Sequence, residues 1–158
     1  MPREYTVSAE QAAVATATGD YDLISIDAGA DLPTAIKSLV IKATTELAEA
    51  QEEWLRLKII RGHTTASSGG NAATARPNSP ADSAYGGTVR TMDGTIASAG
   101  TAVDIWADAF QVRAGYELFL PPEDWFWTSG AALLVVRLMA AVADDLNLSI
   151  TAQIVEYP

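Results

Sequence analysis

Residues 148–157 read LSITAQIVEY and carry the clearest strand pattern of the chain. Apolar and polar side chains alternate there, with Leu148, Ile150, Ala152 and Ile154 on one side and Ser149, Thr151 and Gln153 on the other. Successive side chains of a β-strand point to opposite faces of a sheet. The segment is therefore predicted to be an antiparallel strand with one buried face and one solvated face.

The same period-two alternation recurs elsewhere in the chain. It predicts strands at residues 23–28, 36–45 and 54–61, and less regular strands at 88–92, 105–113 and 116–120. In the strand at 105–113, the apolar face would contain Trp106, Phe110 and Val112 together with Asp108, a carboxylate that is unexpected on a buried face.

Residues 131–140 have a wholly apolar face and fit either of two elements. Alanine, leucine and methionine favour a buried helix running to Asp145. Two valines and the turn-forming sequence DDLN that follows favour a strand, and we prefer the strand. Only residues 8–17 and 46–53 have compositions that predict short helices.

These elements predict an all-β fold: an antiparallel β-sandwich, jelly-roll-like, with about eight strands and one long loop. We divide the chain into an N-terminal arm and first strand at 1–34 and a sandwich body at 35–158. The helices are too few for a parallel sheet built from βαβ units.

The predicted long loop, residues 64–84, reads TTASSGGNAATARPNSPADSA and has no hydrophobic residue larger than alanine. Loops of this length in compact domains are usually functional or disordered. Its prolines, Pro77 and Pro80, would stiffen it, and Arg76 supplies one cation. We predict that Arg76, Pro77, Pro80 and the following Tyr85 contact a partner, and that the loop is mobile alone and ordered in an assembly.

Charge and cysteine content exclude several classes of function. The chain has 20 acidic and 10 basic side chains, and its formal net charge is −10. Binding to nucleic acid depends on clustered lysine and arginine, so we expect neither nucleic acid nor an anionic membrane as a partner. Cysteine is absent, which removes disulfides, thiolate metal sites and cysteine nucleophiles.

The residue pattern contains no recognisable catalytic motif. The single histidine, His63, cannot supply the ligands of a typical zinc site without cysteine. No GxSxG motif contains the nearby Ser67 or Ser68, so a serine nucleophile is not indicated. A hydrolase that uses His63 and a carboxylate is the least favoured hypothesis. We therefore expect no enzyme activity, no catalytic residue, no cofactor and no metal.

Residues 121–130, PPEDWFWTSG, form the most plausible recognition surface. In an extended chain Trp125 and Trp127 lie on one side and Phe126 on the other. Three interpretations stay open: an aromatic cluster at the edge of the core, an interface with a protein partner, and a platform on which sugars stack.

Three blocks of the sequence together resemble a known group of proteins. They are AQEEWLRLKIIRGHTTASSGG at 50–70, ADAFQVRAGYELFLPPED at 107–124 and LLVVRLMAAVADDLNLSITAQIVEY at 133–157. With these blocks, most of the chain after residue 35 resembles small all-β structural proteins of tailed bacteriophages and prophages. Residues 1–34 match least.

The resemblance implies a virion protein made in the host cytoplasm. The commonest role of such a chain is decoration or cementing of the capsid exterior, with the major capsid protein and copies of itself, as dimers or trimers, for partners. It carries over no catalytic residue. The alternatives are a tail, connector or head-fibre component, or a carbohydrate-binding module of the phage surface.

Overall fold

The computed structural model describes residues 1–14, 19–29, 32–43, 53–139 and 146–157, without the side chains of residues 11–14. These residues form twelve β-strands and one 3-10 turn, Pro122–Asp124. The strands are β1 Arg3–Val14, β2 Tyr21–Asp27, β3 Thr34–Ala43, β4 Trp54–His63, β5 Asn71–Ala73, β6 Arg76–Pro77, β7 Thr88–Asp93, β8 Val103–Gln111, β9 Tyr116–Phe119, β10 Phe126–Thr128, β11 Leu133–Met139 and β12 Leu146–Glu156.

The strands form two antiparallel sheets of six strands each. Sheet I has the order β10-β3-β12-β1-β6, and β9 pairs with β3 beside β10. Sheet II has the order β5-β7-β2-β11-β4-β8. The apolar side chains of the two inner faces pack into one buried cluster between the sheets. The all-β sandwich predicted from the sequence is confirmed.

The strand order is that of a jelly roll. The chain runs as one long antiparallel hairpin in which β1 pairs with β12, β2 with β11, β3 with both β9 and β10, and β4 with β8. These four pairs alternate between sheet I and sheet II along the hairpin. Winding such a hairpin around a sandwich produces the two Greek keys of a jelly roll.

All eight strands predicted from the sequence are present, with boundaries that differ by a few residues. The strand interpretation of residues 131–140 is confirmed for Leu133–Met139, and β11 is buried on both of its faces. Sequence patterns alone do not predict β1, β5, β6 or β10. Three of these four have only two or three residues each and depend on their neighbours for pairing.

The helix predicted at residues 8–17 is wrong for residues 8–14, which belong to β1. Their alanine, glutamate and glutamine favour a helix locally, but pairing with β12 along Arg3–Val14 overrides that preference. The helix predicted at 46–53 lies almost entirely outside the described residues. Residues 1–34, predicted as an arm and one strand, contribute β1 and β2, and each lies between two other strands of its sheet.

The segment predicted as one long loop, residues 64–84, contains β5 and β6. It belongs to the connection between β4 and β8, at the tip of the long hairpin. From there β6 extends sheet I beside β1, and β5 and β7 extend sheet II beside β2. The segment is therefore part of both sheets over part of its length, and its ordering on a neighbouring protein stays a prediction.

Residues 64–70 and 94–102 form what we call the outer strap, which crosses the outer face of sheet II. Two isolated β-bridges, Thr65 with Ser98 and Ser68 with Thr95, join its two halves. Ala97 packs in a second apolar cluster with Ile60, Leu133 and Val135. The outer strap thereby covers side chains of β4 and β11 that point away from the main core.

A buried ion pair fixes the outer strap to sheet II. Arg137 donates from Nε and Nη2 to the carboxylate of Asp22 at 2.6 and 3.2 Å, and Asp22 is fully buried. The backbone of Ala97 closes the network, since its N–H donates to Asp22 at 2.6 Å and its carbonyl accepts from Arg137 at 3.0 Å. Burial raises the pKa of the Asp22 carboxyl, and the bonds from Arg137 and Ala97 oppose that rise.

A second buried carboxylate, Asp93, holds the other half of the outer strap. It accepts from the Ser67 hydroxyl at 2.5 Å, from the Gly70 N–H at 2.7 Å and from two nitrogens of Arg90 at 2.9 and 3.1 Å. Hydrogen bonds to a charged group are stronger than neutral ones. Although residues 64–70 are polar, their hydrogen bonds to Asp93 give them a defined position on sheet II.

Candidate functional site

The predicted partner-binding residues do not form one site. Arg76 and Pro77 lie in β6 at one edge of sheet I, whereas Trp127 lies in β10 at the opposite edge, with Trp125 just before it. Tyr85 lies near the β6 side, where its ring packs on Tyr5 with 5.3 Å between centroids. The structure thus divides the predicted residues between two surfaces.

On the first surface, β6 covers the outer edge of β1. Thr6 is opposite Arg76 and Tyr5 is opposite Pro77. Proline is suited to the edge of a sheet because it has no N–H to leave unpaired. Arg76 and Pro80 are exposed, and their contact with a partner stays a prediction.

Tyr85 is already engaged within the chain. Its hydroxyl lies 3.1 Å from the carbonyl oxygen of Asp27 and 3.1 Å from Oγ1 of Thr34. Burial raises the pKa of the Tyr85 phenol. The hydroxyl therefore links the segment before β7 to the ends of β2 and β3.

Glu156 is a buried carboxylate that the alternation of LSITAQIVEY does not single out. It accepts from the Tyr5 hydroxyl and from the Gly86 N–H, both at 3.0 Å, and lies 3.4 Å from a guanidinium nitrogen of Arg3. These bonds fasten residues 85–87 to the end of sheet I. Their satisfied geometry indicates a structural role for Glu156.

On the second surface, three aromatic side chains form what we call the aromatic row: Trp125, Trp127 and Tyr157. The ring centroids of Trp125 and Trp127 are 6.0 Å apart, and those of Trp127 and Tyr157 are 5.1 Å apart. The two tryptophans are half-buried and Tyr157 is 40% exposed. Phe126 points the other way, as predicted, and packs against the core.

The members of the aromatic row are positioned by hydrogen bonds. The Trp125 indole Nε1 donates to the carbonyl of Leu120 at 3.0 Å. The backbone N–H of Tyr157 donates to the carbonyl of Pro33 at 3.0 Å. Tyr157 comes from the far end of the chain, so the sequence near Trp125 and Trp127 contains no signal for it.

Next to the aromatic row is a groove of about 420 Å³, which we call the Arg61 groove. Its lining residues come from three strands, β4, β8 and β10, and from the segments beside strands: Pro33, Arg61, Gly62, Thr101, Val103, Trp127, Thr128, Ser129 and Ala132. Arg61 donates from Nη1 to the carbonyl of Trp127 at 3.1 Å. Trp127 is therefore common to the aromatic row and the groove.

Gly62 shapes one wall of the Arg61 groove through its backbone. Its φ is +103°, and a Cβ atom placed there would lie 2.2 Å from the Thr101 carbonyl oxygen. Gly100 faces Gly62 from the other side, with a φ of +73° and its own Cβ position 2.2 Å from the Gly62 carbonyl oxygen. Glycine is required at both positions because only it combines a positive φ with so close a backbone approach.

His63 and Ser67 do not approach each other through a hydrogen bond. Nδ1 of His63 lies 3.2 Å from the carbonyl oxygen of Ala99, and the Ser67 hydroxyl donates to Asp93. Among the described residues, no group of three or more His, Cys, Asp or Glu side chains could hold a metal ion. No helix in the described parts of the chain is long and apolar enough to cross a membrane.

A third surface lies where the two sheets end at β8 and β9, and we call it the β8/β9 flank. Four large apolar side chains are exposed there or directly beside it: Trp54 at 67%, Val103 at 51%, Trp106 at 37% and Phe119 at 69%. β8 has nine residues and, among the described strands, pairs only with β4. Its other side has no pairing strand among the residues that the structure describes.

One local device protects the edge of β8. The carboxylate of Asp108 accepts the N–H of Ala109 at 2.8 Å and the hydroxyl of Tyr116 at 3.2 Å. Charged side chains on edge strands limit unwanted pairing with other chains. Asp108, anomalous in the sequence pattern, thus satisfies one edge N–H and links β8 to β9.

Comparison of the chain with protein-family models, with curated proteins and with solved structures finds no match.

Proposed function

We propose that this chain is a structural protein of a bacteriophage virion that decorates the capsid exterior and cements neighbouring major capsid subunits. The single observation that carries the proposal is the β8/β9 flank. Long unpaired edge strands and exposed apolar side chains are features through which one protein binds another. The resemblance of residues after 35 to phage structural proteins supplies the identity of the neighbour.

The jelly roll supports this proposal, since it is a frequent architecture of viral capsid domains. Adding a neighbouring strand to β8 would satisfy backbone groups on both chains and would cover the exposed Val103 and Trp106 of that strand. Trp54 on β4 and Phe119 on β9 would offer further exposed apolar contacts beside it. The same flank would serve contacts between copies of this chain. A tail, connector or head-fibre position would use the flank in the same manner, at far fewer copies per particle.

The proposal is tested by binding to particles from which this chain has been removed. The double variant Trp54→Lys/Phe119→Lys places charges on the β8/β9 flank, at residues that make little contact with the core. We expect the wild-type chain to sediment with such particles and the double variant to remain in the supernatant. The matched control is the double variant Thr95→Lys/Ser98→Lys, which adds the same two charges at exposed positions outside both the β8/β9 flank and residues 64–84. Equal sedimentation of the double variant would contradict a role for the flank.

A second function is favoured by a separate observation, the aromatic row beside the Arg61 groove. Half-exposed aromatic rings next to a concave surface are typical of protein sites that stack against sugar rings, and jelly rolls include lectin domains. We propose carbohydrate binding as the second candidate. A glycan array with no signal, or a signal that is unchanged in Trp125→Ala and Trp127→Ala, would exclude it.

A further inference from the structure

The Arg61 groove contains a cation with no counterion in the described part of the chain. Arg3, Arg90 and Arg137 each pair with a carboxylate. Arg61, by contrast, is exposed and has its hydrogen bond with the neutral carbonyl of Trp127. In a chain with twice as many acidic as basic side chains, an arginine without a counterion in a concave site is free to bind an external anion.

The hydrogen bond to Trp127 restricts the position of the Arg61 guanidinium but uses few of its N–H donors. A guanidinium has five N–H donors in one plane, and the bond to the Trp127 carbonyl uses one of them. That bond fixes the head group beside the aromatic row. The remaining donors match the two oxygens of a carboxylate, which arginine binds in a bidentate manner.

The surroundings of Arg61 favour a ligand with hydroxyl groups over a bare inorganic anion. Thr101 and Ser129 line the groove and are exposed. Thr128 is less available, because its hydroxyl donates to the carbonyl of Ala132 at 2.7 Å. The volume of about 420 Å³ falls in the range of roughly 300–1,000 Å³ that small-ligand sites occupy.

We infer that the Arg61 groove and the aromatic row form one site for an acidic saccharide, with a sugar carboxylate on Arg61 and sugar rings against Trp127 and its neighbours. This inference rests on the carbohydrate-binding function proposed above. It adds the charge of the ligand and the residue that selects it. The aromatic rings stack against sugar rings whether or not the sugar is charged, and Arg61 supplies the preference for a carboxylate.

The test compares two probes of equal length, trigalacturonate and the neutral galactotriose, by titration followed through tryptophan fluorescence. We expect the wild-type chain to bind trigalacturonate about tenfold or more tightly than galactotriose, as one charge-assisted bidentate contact implies. In Arg61→Gln the two affinities should become equal. The matched control is Arg56→Gln. Arg56 is an exposed arginine of the same strand, and the groove that Arg56 lines has no aromatic residue.

Each other outcome has a distinct meaning. Equal binding of both probes by the wild type, with loss in Trp127→Ala, would overturn the role of Arg61 and leave carbohydrate binding in place. Binding of neither probe would overturn both. A loss of trigalacturonate binding in Arg56→Gln equal to that in Arg61→Gln would show general charge attraction and contradict the assigned site.

Discussion

The indole Nε1 of Trp106 donates to the Tyr116 hydroxyl at 2.9 Å and thereby joins the edge strand of sheet II to the edge strand of sheet I. The same hydroxyl donates to Asp108 at 3.2 Å. The ring of Tyr116 packs on Phe110 with 5.6 Å between centroids. One phenol therefore closes the sandwich at the β8/β9 flank.

Replacement of this phenol tests its structural role. Tyr116→Phe leaves Trp106 and Asp108 without their partner and should lower the free energy of unfolding by about 1–2 kcal/mol, the usual cost of an unmade hydrogen bond. Urea denaturation measures the change. The control is Tyr157→Phe, at an exposed position, for which we expect a change near zero. Equal effects of the two variants would contradict the bridging role of Tyr116.

The buried ion pair between Asp22 and Arg137 should be far more sensitive than an exposed pair. Asp22→Asn leaves the Arg137 guanidinium buried without a counterion, which typically costs about 3–5 kcal/mol. Asp104→Asn breaks a half-exposed pair with Lys58 and should cost at most about 1 kcal/mol. Thermal and urea unfolding of both variants provide the comparison. A smaller loss for Asp22→Asn than for Asp104→Asn would show that this network does not hold the outer strap.

Gly62 should tolerate no side chain. Gly19 has a φ of +83° with no atom within 4 Å of its Cβ position, so Gly19→Ala reports the backbone cost alone, about 1–2 kcal/mol. Gly62→Ala has a backbone cost of the same kind, at a φ of +103°, and also a collision with the Thr101 carbonyl oxygen. We expect its loss of stability to exceed that of Gly19→Ala by more than about 1 kcal/mol, measured by urea denaturation. Equal losses of stability would mean that the backbone at Thr101 moves to accept the new Cβ atom at little cost.

Alkaline pH should destabilise the chain through three buried tyrosines and the half-buried Tyr85. Burial raises the pKa of Tyr5, Tyr21, Tyr85 and Tyr116. Above the ordinary tyrosine pKa of about 10, the unfolded chain loses phenolic protons that the folded chain keeps. The free energy of unfolding therefore falls as pH rises beyond that value.

Urea denaturation from neutral pH to pH values above the ordinary tyrosine pKa measures this fall, and tyrosinate absorbance shows whether ionisation accompanies unfolding. Tyr85→Phe should reduce the slope of the decline, since the wild-type phenol has a strongly raised pKa. An unchanged slope in that variant, with all tyrosines titrating normally in the folded protein, would contradict the prediction.

Alternation of apolar and polar residues predicts seven of the strands, and the apolar segment 131–140 predicts the eighth, β11, which is buried on both faces. Together they were enough to predict the sandwich. β1 is the informative exception. Its residues after Ser8 favour a helix on local propensity, and only long-range pairing with β12 makes them a strand. Pairing of that kind joins the two ends of the chain, so no local window of sequence contains it.

The candidate site was predictable only in part. The side-by-side placement of Trp125 and Trp127 follows from period-two geometry, and the structure places their rings 6.0 Å apart. Tyr157 and Arg61 join them through tertiary contacts, and neither carries a local signal. Arg61 belongs to the strand exit RGHTT, where the sequence drew attention to His63 instead.

The central claim, capsid decoration, is tested most directly by locating the chain's density in intact virions purified from the cells in which it is made. We predict density for this chain at every capsomer on the outer surface of the shell, in a fixed ratio to the major capsid protein, with the β8/β9 flank against a neighbouring subunit. Density confined to the tail or connector, or no density in the particle, would contradict the claim.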